Sequence, residues 1–303
     1  MPTISRFLIG VPLAVVVAAC GSGSPASPGG SASPGSSGSP TTASPPPSTS
    51  GLEHPTGATD VVLRIEEGGG FVPMEFNASQ APIFTLYGDG RIVFKQLVAS
   101  FPEPDANGIT RWPAWRTAQL DAGRIEELLT FALGPGGLGA AKESYIADGI
   151  ADAPNTTFTV NAGGVKKTVL ISALGMDTPG GADQVARRAF LALATRLRDF
   201  DQGGTLSSEV FVPTAYRGIL IARDPDPTVK PMAWPWPDLT ANDFPEADGP
   251  NGPGFPHRTL PPDQVVAMGL GDLSGGAQGI VLKAPDGKLY SFILRPLLPD
   301  ETE

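Results

Sequence analysis

The chain has 303 residues, and its 31 acidic against 21 basic side chains give a formal charge of −10, which sets it against phosphate backbones and anionic lipid surfaces. Its densest basic spots are two pairs, Lys166-Lys167 and Arg187-Arg188, so no nucleic-acid partner is expected. One cysteine and two histidines leave no parts for a disulfide framework or a histidine–cysteine zinc site, and neither metal nor cofactor is expected.

The N-terminus opens with one basic residue, Arg6, followed by an uncharged apolar run over residues 7–19. That length suits the apolar core of a secretory signal and falls short of the ~20 residues a spanning helix needs. It ends in Val17-Ala18-Ala19-Cys20, small residues placed directly before the single cysteine. The junction resembles the lipobox of bacterial lipoproteins. The resemblance implies that residues 1–19 are removed, that Cys20 is the lipid-attachment residue, and that acyl chains hold the protein to the outer side of the cytoplasmic membrane. Two such chains suffice for stable anchoring where one is marginal.

Residues 21–56 are nearly all Gly, Ser, Pro, Ala and Thr. With no apolar side chains to offset the entropy of ordering, the segment 20–59 reads as a disordered tether, with a reach of roughly 30–36 Å as a flexible coil. Its removal is expected to leave the stability of the domain at 60–303 unchanged. A sub-boundary within that domain is expected near residue 203.

From residue 60 the pattern alternates strand pairs with helices. Apolar runs at 83–87 and 91–94 flank Gly88-Asp89-Gly90, and Asp-Gly between such runs is a strong hairpin signal. A second hairpin is expected across Asn161-Ala162-Gly163-Gly164 and a third across Pro285-Asp286-Gly287; another strand pair is expected at 209–212 and 217–221. Asp121 stands as an N-cap for a helix carrying Ile125, Leu128, Leu129, Ala132 and Leu133, stopped by Gly134-Pro135. A second helix is expected over 182–199, with Val185, Ala189, Phe190, Leu193 and Leu197 as its apolar stripe, and a weak helical turn over 262–268. Residues 225–262 show no periodicity and read as a long loop. The fold class predicted is α+β, antiparallel hairpins forming a sheet with two main helices packed on one face.

The chemistry-bearing residues are sparse. His257 is the only histidine in the folded region and sits in the long loop, a poor setting for a triad. The Gly134–Gly139 run matches a dinucleotide-loop spacing but follows a helix instead of a strand, so it reads as a helix stop. Asp238, Asp243, Glu246 and Asp248 lack calcium-loop spacing and read as a solvated acidic loop. No catalytic residue is assigned. Trp234 and Trp236, held between prolines, are the candidate ligand-binding residues, since a rigid indole face stacks on sugar rings or peptides; Trp112 and Trp115 form a second such pair. The opposing reading of any such indole is that it caps a hydrophobic core.

Asp60-Val61-Val62-Leu63-Arg64, Gly69-Gly70-Phe71-Val72-Pro73, Leu86-Tyr87-Gly88-Asp89-Gly90-Arg91 and the closing Arg295-Pro296-Leu297-Leu298-Pro299 are similar to an uncharacterised group of secreted or lipid-anchored bacterial proteins of the actinobacterial type. The resemblance covers about residues 60–299 and rests on turn chemistry; it implies an address and carries no site residue. The expected function is a lipid-anchored extracytoplasmic envelope protein, a non-catalytic binding or structural module. Its expected partners are the membrane, through the anchor, and cell-envelope carbohydrate or protein. The alternative is a carboxylate-dependent hydrolase of cell-wall carbohydrate.

Overall fold

The computed structural model describes residues 51–301 except 148, 177–180, 182, 247, 250 and 251; the signal segment, Cys20 and most of the tether lie outside the described residues. In chain order the first half contains β1 (Val61–Gly69), α1 (Met74–Ala78), β2 (Phe84–Tyr87), β3 (Arg91–Phe94), β4 (Thr110–Arg111), β5 (Arg116–Gln119), α2 (Ala122–Leu133), β6 (Ser144–Tyr145), β7 (Pro154–Ala162), β8 (Val165–Ser172), α3 (Gln184–Arg198) and β9 (Glu209–Val210). The second half contains β10 (Tyr216–Arg223), β11 (Met232–Ala233), a 3-10 turn (Ala241–Asp243), β12 (Asp248–Gly249), β13 (Gly252–Pro253), β14 (His257–Leu260), α4 (Pro262–Val266), β15 (Ala277–Lys283) and β16 (Leu289–Pro296).

The protein is a mixed α and β fold built largely on antiparallel pairing, and all three hairpins form. β2 pairs β3 with Leu86 opposite Ile92, β7 pairs β8 with Ala162 opposite Val165, and β15 pairs β16 with Lys283 opposite Leu289. Gly163 and Gly164 take φ of 57° and 73°, the two successive left-handed residues that a two-residue hairpin turn requires.

Where one sheet was expected, the strands divide between two large sheets and a separate short pair, β12–β13. The order β6-β8-β7-β1-β2-β3-β5-β9 makes an eight-stranded sheet, antiparallel except for the β6–β8 pair. The order β11-β15-β16-β10-β14 makes the second, with β4 added against β15 and β11 parallel to β15. The expected pair at 209–212 and 217–221 does not form. β9 closes the edge of the first sheet against β5, while β10 lies between β14 and β16 in the second. The change of sheet thus falls between 210 and 216, not near 203. Both sheets belong to one compact unit, Thr49–Glu303.

Three apolar clusters follow from this layout. The largest joins Val62, Leu63 and Ile65 of β1 with side chains of β2, β3, β7, β8, α2 and α3. A second fills the six-stranded sheet around Leu220, Ile280, Phe292 and Leu294. A third gathers Tyr87, Val93, Trp115, Phe211 and Leu298, drawn from the first sheet and from the chain beyond β16.

The helix α2 is capped as expected: the Asp121 carboxylate accepts from the Arg124 amide at 2.9 Å, and Ile125, Leu128, Leu129 and Ala132 are buried. The stripe of α3 is shifted. Val185 is 82% exposed, and Arg187 takes an inward position beside Phe190, Leu193, Ala194 and Leu197. The reason is polar. The Arg187 guanidinium donates to the carbonyls of Ser172 at 2.6 Å, Ala173 at 3.1 Å and Tyr145 at 3.3 Å, which lie at the ends of β8 and β6. Buried carbonyls need donors, and this arginine supplies them.

The tether stops earlier than its composition suggests. Leu52 packs against the largest cluster, its amide donates to Glu126 Oε2 at 2.6 Å, and the Glu53 carbonyl accepts from the Gly163 amide at 2.7 Å. Leu52 is the one large aliphatic side chain in this Gly/Ser/Pro-rich stretch, which is why order begins there. The long loop is also interrupted: His257 to Leu260 pair with Ile219 to Tyr216 as an edge strand. Alternation is hidden there because His257, Arg258 and Thr259 are polar and half-buried and only Leu260 is fully buried.

Candidate functional site

Between β3 and β5 the chain leaves the eight-stranded sheet, adds β4 to the six-stranded one, and returns. Two contacts pin this excursion: the Trp112 amide donates to the Gly276 carbonyl at 3.0 Å, and Arg111 bridges to Asp105 at 2.7 Å. Gly275 is required for the approach, since a Cβ there would strike the carbonyl oxygens of Trp112 and Pro113. The consequence is a cleft at the seam of the two sheets. Its walls come from the excursion, from Phe76, Ser79 and Gln80 in and after α1, and from Gly275, Leu294 and Arg295 of the second sheet. Its volume is about 170 Å³.

The mouth is aromatic. Phe101 is 70% exposed, and its ring lies edge-on to Phe76 at 6.3 Å and to Trp112 at 5.9 Å between centroids. Deeper in, Trp115 is buried and stacked on Phe211 at 6.2 Å. Lys95 projects from the end of β3, with Nζ 5.3 Å from the centre of the Trp115 ring and donating to the Ala81 carbonyl at 3.0 Å. That is cation–π range.

The electrostatics single out this lysine. Arg295, also on the wall, is held by a two-pronged pair to Glu301, at 2.9 and 2.8 Å, and so brings no net charge. Glu67, across from it on β1, is bound by Arg198. Lys95 forms no ion pair among the described residues. Burial lowers its ammonium to about 8, and the neighbouring Arg295 charge pushes the same way against weaker support from Glu301 and Glu67. A lysine whose charge is disfavoured by burial and which sits in a cleft is a candidate functional group. Among the described residues no carboxylate lines the cleft, so the paired acids of a glycoside hydrolase are not brought together there by them.

The residues expected as a ligand platform lie elsewhere. Trp236 is 3% exposed within the second cluster, its ring packed on Phe292 and its Nε1 donating to the Gln264 carbonyl at 2.8 Å. Trp234 sits edge-on to it at 5.3 Å and donates to the Leu239 carbonyl at 2.7 Å. Their indoles cap the core of the six-stranded sheet, which removes Trp236 as a ligand platform; Trp234 retains one edge on a broad groove of about 580 Å³ beside Met232 and Met268. His257 is half-buried on β14, and its Nδ1 donates to the Phe255 carbonyl at 2.9 Å. In the acidic loop, Asp243 accepts from the amide and hydroxyl of Thr240, closing the 3-10 turn, and these bonds hold its carboxyl below the usual range. Among the described residues no group of three His, Cys, Asp or Glu is placed to hold a metal.

Comparison with family models, with curated proteins and with solved structures finds no match for this chain. The site therefore speaks through its own geometry. Sequence reasoning noticed Trp112 and Trp115 as a rigid pair but missed Lys95, because a lone lysine after a strand carries no local signal.

Proposed function

We propose that the protein is a lipid-anchored, extracytoplasmic binding module of the cell envelope, with Cys20 carrying the anchor and the seam cleft taking a small envelope ligand. The helices α2 and α3 back one face of the eight-stranded sheet in this reading, supported by the core they share with β1, β2, β3, β7 and β8. The opposite face, bearing Tyr87 and Val93, is then left to the seam.

One observation carries the binding reading: Lys95 holds an ammonium without an ion-pair partner beneath an aromatic mouth at the join of two sheets. Junctions between packed layers are where ligand sites concentrate, and apolar walls with one placed polar group are their usual chemistry. The anchor reading is supported by the Val17-Ala18-Ala19-Cys20 junction after an uncharged run.

Each half has its own test. In the native host, Cys20→Ala is expected to abolish the lipid mass and release the chain from the membrane fraction; a wild type found soluble and unmodified overturns the anchor. For the cleft, Trp112→Ala is expected to abolish the tryptophan fluorescence change produced by a single-ring ligand. Retention of that change overturns the site.

A further inference from the structure

We infer that the seam cleft selects a small monoanion, a carboxylate on a flat apolar body of about one ring, with the Lys95 ammonium as its counter-charge and the Phe101–Trp112 mouth as its stacking surface. The inference rests on the reading of the cleft as the ligand site and adds the chemical class of what enters it.

Charge decides the sign. Among the described residues the wall carries two cationic side chains, but Arg295 is neutralised by its two-pronged bond to Glu301, so their net charge is one, on Lys95. One N–H of that ammonium goes to the Ala81 carbonyl. A lysine has three donors, so two remain for a ligand. A neutral ligand would leave the half-buried charge without compensation, and a dianion would bring a second, uncompensated one into the same desolvated place; a monoanion balances it. The whole chain is acidic, at −10, so a local site for an anion needs this kind of enclosed cation to overcome the general field.

Shape decides the body. About 170 Å³ is close to the ~150 Å³ of an apolar cavity that takes up benzene, the scale of one ring with a short substituent. Phe76, Phe101 and Trp112 meet edge-to-face and so present ring faces and edges to whatever lies between them. Phe101, exposed over most of its surface in the free protein, gains burial when a ring is seated beside it.

The charged groups facing Lys95 are Arg295 from β16, Glu301 from the turn beyond it and Glu67 from β1. None of these residue types titrates ordinarily between about pH 7 and 10. Lys95 does, at about 8, so anion binding should weaken as pH rises through and beyond that value while a neutral ligand is indifferent.

The experiment titrates the full-length chain in lipid nanodiscs with benzoate, benzamide and inorganic phosphate, following tryptophan fluorescence and calorimetry. Benzoate is expected to bind at least tenfold more tightly than benzamide, and phosphate not at all. Lys95→Met is expected to erase the difference. A pH series on the unaltered chain is expected to show the same loss above about pH 8, which keeps the test informative if the variant folds poorly. If benzoate and benzamide bind alike and Trp112→Ala abolishes both, the cleft is a ligand site without anion selectivity, and this inference falls while the binding reading stands. If phosphate binds as well as benzoate, the apolar body is irrelevant and the inference falls. If no ring ligand binds, both readings fall together.

Discussion

Arg64 and Asp300 meet at 2.6 Å although 236 residues separate them. Arg64 lies on β1 of the eight-stranded sheet and Asp300 on the turn after β16 of the six-stranded one, so a single two-pronged pair ties the C-terminal end of the second sheet to the centre of the first. The Tyr87 hydroxyl donates to the same carboxylate at 2.7 Å, and at the next residue the Leu298 amide joins Arg295 on Glu301. Burial works against the Arg64 guanidinium, yet Asp300 holds it above its ordinary value; for the Tyr87 hydroxyl, burial and the same carboxylate both push upward.

Breaking this latch from one side should therefore be costly. Asp300→Ala leaves a guanidinium at 12% exposure and a buried phenol without this acceptor, and is expected to destabilise the fold by about 3–5 kcal/mol. The urea midpoint measures it. The double variant Arg64→Met, Asp300→Leu should lose distinctly less, because it removes the stranded charge together with the pair. Equal loss in single and double variants would mean that the latch matters only through packing.

Beside the latch, Glu66 gives a pH-dependent effect of known sign. Burial raises its carboxyl above the ordinary value, opposed by Arg64 and reinforced by Glu301 and Asp300. The folded state then binds more protons than the unfolded one, so stability falls as pH rises from the ordinary carboxyl range through the raised value. Glu66→Gln is expected to raise the melting temperature at pH 7, with the gain vanishing at pH 4 and below. A gain that persists in acid would not be electrostatic.

The residues just before β1 are expected to stabilise the domain. A chain beginning at Gly51 keeps Leu52 on the core and the Gly163–Glu53 hydrogen bond; one beginning at Ala58 loses both. Partial burial of one leucine and two hydrogen bonds amounts to about 2 kcal/mol, or a drop of roughly 4–8 °C in melting temperature for a domain of this size. Coincident melting curves would return residues 51–57 to the tether.

Trp236→Ala separates core from site. Its ring fills the space between Phe244 and Phe292, so truncation is expected to cost about 3–5 kcal/mol by urea denaturation. Benzoate affinity of the folded fraction should be unchanged, because Trp236 is not on the seam. A folded variant that binds less would restore the indole to the site.

The features legible from the residues alone are those that depend on neighbours a few positions apart. Gly163-Gly164 and Asp286-Gly287 specify their hairpins because left-handed backbone is needed at the turn and nowhere else nearby. Asp121 begins α2 because its carboxylate reaches an amide three residues on. The same local logic failed where a distant partner set the outcome. Arg187 displaced Val185 on α3 because carbonyls of β6 and β8 lay open beneath it, and Leu52 became core because α2 and the turn after β7 were there to receive it. Which tryptophans face a cavity, and that Lys95 lies over Trp115 beside a neutralised Arg295, emerged with the packed fold. Turns and caps are closed by adjacent residues, but a cleft exists only after two sheets have chosen their strands. Its charge balance depends on Lys95 from the first sheet meeting Arg295 of the second, which Glu301 neutralises.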